Sequence, residues 1–412
     1  MLKWCFLAYC YIAYRCGCHE HVANMIEQYM HLMSPTFIKA GQLLAQRMDV
    51  IPQPIQRALK RLFDDVPPDH TFDDMIYEKY KHLPIHDNKG GAGYDWPIVI
   101  GSGSLSQVYL YRGYAIKVRR NGILDDIEQD FGMMKRIIGF LFGQSAYYAD
   151  MLEIIDYLHQ SILDQCDFEA ERRYQMIFES YKTPNIRVPK VFEELSDENT
   201  IVMEYVKGVA LHNITDEQLN DLLEKTPTLS QELAQLLTRP LTFDLIFHGD
   251  LHPGNVLVTD NGLCILDFGW VCRIDNDVHS VIMDTLKFYQ QKMLSEIIDV
   301  VSQSAFHVPI TDVHVKADLL DILERSDESE CLVPMVNELV DYSLVHQLRM
   351  DTRYLHILIA RINGYYLFSK LKQDASMVLE IFQKNFIRCS VLKATREMLA
   401  KAKSAKKATE SV

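Results

Sequence analysis

Two acidic side chains and a carboxamide stand out by their spacing. His248-Gly249-Asp250-Leu251-His252-Pro253-Gly254-Asn255 puts an aspartate and an asparagine five positions apart, behind a histidine that can brace the segment. A second aspartate follows in Asp267-Phe268-Gly269, after room for one hairpin. Phosphoryl transfer calls for this set: a carboxylate near the acceptor hydroxyl, and oxygen ligands for the metal that bridges the phosphates. Asp250 is therefore the candidate catalytic carboxylate, and Asn255 and Asp267 are the candidate Mg²⁺ ligands, with ATP as the nucleotide.

Upstream residues supply the matching phosphate grip. Gly101-Ser102-Gly103-Ser104-Leu105-Ser106-Gln107-Val108 reads as G-x-G-x-x-S-x-V, in which Gly101 and Gly103 let the backbone approach phosphate and Ser104 and Val108 complete the loop. Ala115-Ile116-Lys117-Val118 follows as the A-x-K of a third strand, whose lysine holds the α- and β-phosphates. Lys117 needs a helix-borne carboxylate, and within Asp167-Phe168-Glu169-Ala170-Glu171 both Glu171 and Glu169 qualify by spacing. Ile201-Val202-Met203-Glu204-Tyr205-Val206 reads as an interlobe hinge, with Met203 behind the adenine and the backbone of Glu204 and Val206 contacting it. In this order the pieces form a protein-kinase-like ATP site.

The elements that must position them follow from periodicity. Residues 20–82 carry Phe37, Leu44, Ile55, Leu59 and Leu62 at helical spacing, and a glycine-containing loop closes the stretch at 84–97. Residues 98–101 enter a glycine-containing turn, and strands are expected at 107–111 and 114–118, with Arg112-Gly113 as a tight turn, before helices over 125–181. A hairpin of 187–195 with 200–206 and a second of 256–258 with 263–266 follow, the second turned at Asp260-Asn261-Gly262. The rest, through 278–400, reads as helix. The fold class is α+β: a bilobal protein-kinase-like fold with a small antiparallel-sheet N-lobe and a helical C-lobe. The expected units are an apolar segment (1–30), a helical extension (31–92), the N-lobe with inserted helices (93–206), and the C-lobe with C-terminal helices (207–412).

Composition narrows the partners. Hydrophobic residues make up 48% and charged residues 24% of 412, which is globular. A formal charge of −14 argues against nucleic acid as a partner, and the four lysines of 401–407 read as a solvated tail. Nine scattered cysteines fit a reducing, intracellular compartment. The run Cys16-Gly17-Cys18-His19-Glu20-His21 is metal-capable but lacks a downstream second half. Residues 2–14 are apolar and aromatic, shorter than the ~18 residues of a spanning helix, and resemble neither a signal nor a transit peptide. They suit a packed or membrane-surface helix.

The chain also resembles the UbiB/aarF/ADCK family of atypical kinases. The resemblance rests on Ser34-Pro35-Thr36-Phe37-Ile38-Lys39-Ala40-Gly41-Gln42-Leu43-Leu44-Ala45-Gln46-Arg47 with Asp49 and Pro52, similar to the family's K-x-G-Q signature, and on Ile116-Lys117-Val118-Arg119-Arg120-Asn121-Gly122. It covers about residues 33–275. It implies that Lys39 and Gln42 ride on helices folded over the site, with a regulatory role, and that Glu171 partners Lys117. It further implies ATPase or unorthodox kinase activity near lipids or membranes, linked to membrane lipid or isoprenoid-quinone metabolism. Two departures stand out. The family's alanine-rich nucleotide loop is replaced by Gly101 and Gly103, and its E-x-D motif reads Gln165-Cys166-Asp167, which weakens any tie to Lys39 to at most a hydrogen bond. Gly249 replaces the arginine of protein kinases, and no A-P-E follows Asp267, which argues against a peptide acceptor. His252-Pro253-Gly254 resembles the catalytic loop of small-molecule kinases. The readings to separate are an atypical kinase or ATPase, a conventional Ser/Thr protein kinase, and a non-catalytic nucleotide-binding scaffold.

Overall fold

The computed structural model describes residues 9–10, 13, 16–29, 34–46, 53–60, 67–85, 96–144, 148–329, 338–339, 342–343, 345–346, 348–373, 378, 381 and 384–385. Most of 2–14, the glycines at 90, 91 and 93, Arg47, Asp49, Pro52, Leu62 and the 401–407 stretch lie outside the described residues.

The first helices whose bounds fall among the described residues are α1 (His19–Tyr29), α2 (Pro35–Gln46), α3 (Gln53–Lys60) and α4 (Asp73–Tyr80). α2 has two apolar faces. Phe37 and Ala45 pack with Val22, Ile26, Ile55 and Leu59, whereas Ala40 and Leu43 join a separate core farther along the chain. Three antiparallel strands follow, β1 (Ile98–Ser102), β2 (Ser106–Tyr111) and β3 (Tyr114–Arg119). Arg112 and Gly113 both take positive φ (50° and 84°), the two-residue turn whose twist suits a right-twisted hairpin. Phe72, Ile76 and Tyr80 cover one face of these strands, packed on Tyr109, Tyr111, Ile116 and Val202.

The insertion before the fourth strand is three helices: α5 (Ile123–Phe142), α6 (Tyr148–Gln165) and α7 (Phe168–Ser180). After β4 (Ile186–Arg187), strand β5 (Thr200–Glu204) completes a sheet of order β1-β2-β3-β5. The expected first hairpin is only partly formed. Lys190 and Phe192 run beside β5, through Glu204 N–H to Lys190 O and Phe192 N–H to Val202 O, both 2.8 Å. Ile186 and Arg187 instead pair in parallel with a strand of the other lobe, and 193–195 is a 3₁₀ turn. Pro189 lacks the N–H that would continue the ladder between the two pieces.

The second lobe contains β6 (Val209–Ala210), α8 (Asp216–Lys225), α9 (Leu229–Phe243), β7 (Ile246–His248), β8 (Val256–Thr259), β9 (Gly262–Ile265) and β10 (Val271–Arg273). β4-β9-β8-β6 form one sheet, and β10-β7 form a two-stranded ribbon. The strands β6, β7 and β10 are two or three residues long, too short to show a two-residue period, and were not expected from the sequence. Helices α10 (Asn276–Gln290), α11 (Leu294–Ser304), α12 (Val313–Ser329) and α13 (Thr352–Lys370) follow. Leu367 and Phe368 of α13 share a core with Phe178, Leu233, Val256, Ile265 and Phe268, so this helix belongs to the second lobe. Among the described residues no helix is long and apolar enough to cross a membrane.

Candidate active site

The glycine loop links β1 to β2. Gly101 stands opposite Val108 in the ladder, and Gly103 N–H closes the turn on Ser106 O at 2.9 Å. Ser104 and Leu105 are buried, and Leu105 packs into the core that Ala40 and Leu43 share with Ile123, Ile127 and Phe131. Arg120 holds the loop from beneath. Its guanidinium donates to Gly103 O (2.9 Å), Ser102 Oγ (2.9 Å) and Pro67 O (3.1 Å). The sequence showed Arg120 only as part of a family-like segment; its role as a loop clamp comes from the fold.

Lys117 projects from β3 between two carboxylates. Nζ donates to Glu171 Oε1 at 2.6 Å and to Asp267 Oδ1 at 3.1 Å. Glu171, not Glu169, is thus the partner: Glu171 is buried in the first turn of α7, while Glu169 is exposed. Asp167 caps that helix, accepting from Ala170 N–H at 2.9 Å, and the Gln165 amide turns back to donate to Ser161 O at 3.0 Å. Burial disfavours a charged Lys117, but Asp267 and Glu171 outweigh it and lift the ammonium above the ordinary lysine range. Desolvation opposes ionisation of Asp267 too, although its side chain is half-exposed, yet Lys117 and then Lys39 hold its carboxyl well below the usual range. Burial pushes Glu171 upward against the pull of Lys117. Asp267 takes a left-handed φ of 54° and accepts Gly269 N–H at 3.1 Å, a strained turn of the kind found at functional sites.

β7 delivers the loop that carries Asp250. His248 sits opposite Val271 in the ribbon, and Gly249 N–H donates to Trp270 O at 2.8 Å. A side chain at Gly249 would bring Cβ to 3.1 Å from Trp270 O and 3.2 Å from Cys272 Sγ, so the position favours glycine. The Asp250 carbonyl accepts from His252 N–H and Asn255 Nδ2, each at 3.0 Å, and Asn255 O accepts Leu266 N–H at 2.8 Å. These bonds tie the Asp250–Asn255 turn to the strand that runs into Asp267. His248 is buried, with Nδ1 accepting Asp250 N–H at 3.2 Å, and burial holds the ring below its ordinary value. Its ring touches Phe268 (centroids 5.3 Å), which in turn meets Phe178 of α7 (5.2 Å). That stack connects the Glu171 helix to both loops. From α13, Asn363 Nδ2 donates to Gly249 O at 3.3 Å, a contact no local motif announces.

The hinge residues are less uniform than expected. Met203 lies opposite Ala115, with Gln175 Nε2 3.6 Å from its sulfur. Glu204 N–H is committed to Lys190 O, so it is not available to an adenine, and its side chain pairs with Arg187 at 2.5 Å. Val206 is half-buried just beyond β5. Lys39 and Gln42 lie on α2, both half-buried, and the charge of Lys39 reaches Asp267 and Cys166.

A small sheet carrying a buried lysine, an acidic helix beside it, and an Asn/Asp pair on loops of a second lobe define a protein-kinase-like fold. The ABC1 atypical kinase-like domain matches residues 97–300. The chain is 30% identical over 268 residues to the "Uncharacterized protein in hydrogenase 1 5'region" of Clostridium pasteurianum, covering 62% of this chain and 49% of that protein. It is 28% identical over 330 residues to "Protein ACTIVITY OF BC1 COMPLEX KINASE 1, chloroplastic" of Arabidopsis thaliana (76% and 47%). It is 26% identical over 301 residues to the "Probable protein kinase UbiB" of Marinobacter nauticus (68% and 53%). The chain belongs to the UbiB/aarF/ADCK family of atypical kinases. It spans about half the length of these curated relatives.

Proposed function

We propose that the chain binds Mg-ATP between its lobes and acts as an atypical phosphotransferase or ATPase. The observation that carries this reading is the Lys117 ammonium held 2.6 Å from Glu171 and 3.1 Å from Asp267, groups from three distant segments. Lys117 would steady the phosphates, and the Gly101–Gly103 loop, clamped by Arg120, would cover them. Asn255 and Asp267 offer an amide and a carboxylate oxygen, hard donors that suit Mg²⁺; the Asn255 Nδ2 is already spent on Asp250 O, which leaves Oδ1 for a metal. The bound ion would neutralise charge on the β- and γ-phosphates. Asp250 would orient an acceptor hydroxyl or water.

The crowding around Gly249 and the missing A-P-E support a small-molecule or lipid-linked acceptor over a peptide, and so disfavour a conventional Ser/Thr kinase. The family resemblance supports a link to lipid or isoprenoid-quinone metabolism, with Lys39 and Gln42 as regulators of the site. Phosphate release from Mg-ATP, with and without liposomes, tests the reading beside Asp250→Asn and Asp267→Asn. Turnover abolished in both variants is the expected result. Nucleotide binding without turnover would mark a scaffold, and no Mg²⁺-dependent nucleotide binding would overturn the proposal.

A further inference from the structure

A solvent-open hollow of about 610 Å³ lies between the catalytic loop and α13, and none of Gly101, Gly103, Lys117 or Asp267 lines it. Its volume falls in the range of small-molecule sites. His252 and Pro253 line it from the loop, and Tyr366, Ser369 and Lys370 line it from α13. Lys372, just past the helix, and Asp216, at the start of α8, complete the rim.

The charges there run against the chain's overall −14. Asp216, the lining carboxylate, is 3.0 Å from Lys372. Among the described residues no carboxylate lies within ion-pair distance of Lys370. The His252 ring adds a donor: Nδ1 accepts Gly254 N–H at 3.0 Å, so in the neutral ring the proton sits on Nε2. Ser369 adds a hydroxyl. Lys372 also takes a left-handed φ of 55° where the helix ends, a place where glycine is usual. A lysine kept in that conformation is strained and sits at the cavity rim.

We propose that this cavity binds the phosphate group of a small phosphomonoester, apart from the nucleotide cleft. The Lys370 ammonium, an imidazole N–H and a hydroxyl, with Lys372 shared between Asp216 and the ligand, suit a compact multivalent anion, which lysine binds as a point charge. Occupancy bears on the candidate catalytic aspartate because the lining residues hold it. His252 N–H donates to Asp250 O at 3.0 Å, and Asn363, also in the lining, donates to Gly249 O. Only this coupling rests on the proposed function; the binding does not.

Titration calorimetry at low salt with glycerol 3-phosphate, inorganic phosphate and glycerol tests it. Saturable binding of the two phosphates but not glycerol is expected. Lys370→Ala should weaken both about ten-fold, the loss of one charge-assisted contact, and Lys370→Arg should restore them. Circular dichroism that matches the wild type certifies the fold of each variant. Asp267→Asn should bind phosphate as the wild type does, even if ATP turnover is lost. No saturable binding, equal affinity in Lys370→Ala, or loss of phosphate binding in Asp267→Asn would overturn the proposal; the last would place the anion in the nucleotide cleft. Absence of ATP turnover with phosphate binding intact would sink only the proposed function.

Discussion

Lys117 is 9% exposed and has two counter-charges, and that redundancy has a thermodynamic signature. At 2.6 Å and 3.1 Å each pair has a gross attraction of roughly 5–6 kcal/mol at an effective dielectric of about 20, before desolvation is set against it. The Asp267 side chain is half-exposed, so screening reduces its share. Glu171→Gln leaves Lys117 facing Asp267 and should cost about 1–2 kcal/mol, and Asp267→Asn about 1 kcal/mol or less. The double variant leaves a buried ammonium with neither partner, a defect of about 3–5 kcal/mol. The cycle should therefore show a coupling of about 1–3 kcal/mol, with the double variant worse than the sum. Urea midpoints followed by circular dichroism, compared at constant slope, measure it. Glu169→Gln, exposed one position from the helix start, should change stability by less than about 0.5 kcal/mol. Additivity of Glu171→Gln and Asp267→Asn within about 0.5 kcal/mol would refute the idea that the two carboxylates share one cation.

Three further outcomes follow from other parts of the site. Gly262 has φ 126°, and a Cβ there would lie 2.0 Å from the Asn185 carbonyl oxygen, so Gly262→Ala should push β4 off β9 at a cost above about 4 kcal/mol. Soluble protein that melts with the wild type would contradict this. Arg120→Ala frees the glycine loop from two hydrogen bonds, to Gly103 O and Ser102 Oγ, and should weaken Mg-ATP binding about ten-fold with little change in overall fold, read by nucleotide titration. The buried His248 ring resists protonation, so below its ordinary value of 6.5 the unfolded chain binds a proton that the folded chain refuses. Stability should then fall as pH drops below about 6.5, and His248→Gln should flatten that slope; an unchanged slope would assign it to other groups.

Motifs defined by spacing within one segment were legible in the sequence. The Asp250–Asn255 interval, Asp267-Phe268-Gly269, Lys117 on its strand and the Asp260-Asn261-Gly262 turn all depend on neighbours in the chain. What was not legible depends on contacts between distant segments. The choice of Glu171 over Glu169 is made by which face of α7 meets β3. The departure of Ile186 and Arg187 to the second lobe depends on a strand some 77 residues later, Leu263 and Cys264 being their partners. Asn363 reaches Gly249 across 114 residues, and no local pattern encodes that.

Leu105, in the glycine loop, is covered by Ala40 and Leu43 of α2. Sequence similarity to the kinase-like domain begins at residue 97, but the hydrophobic interior does not stop there. At its other end the matched stretch closes at residue 300, while Leu367 and Phe368 fill the second lobe. The recognisable interval is thus a unit of ancestry and not a unit of folding. A graft of residues 97–300 from one relative onto the flanks of another would face mismatched surfaces at both seams. Substitutions at 105 would be tolerated only in step with those at 40 and 43, so the glycine loop and the helix some sixty residues before it are expected to change together across the family.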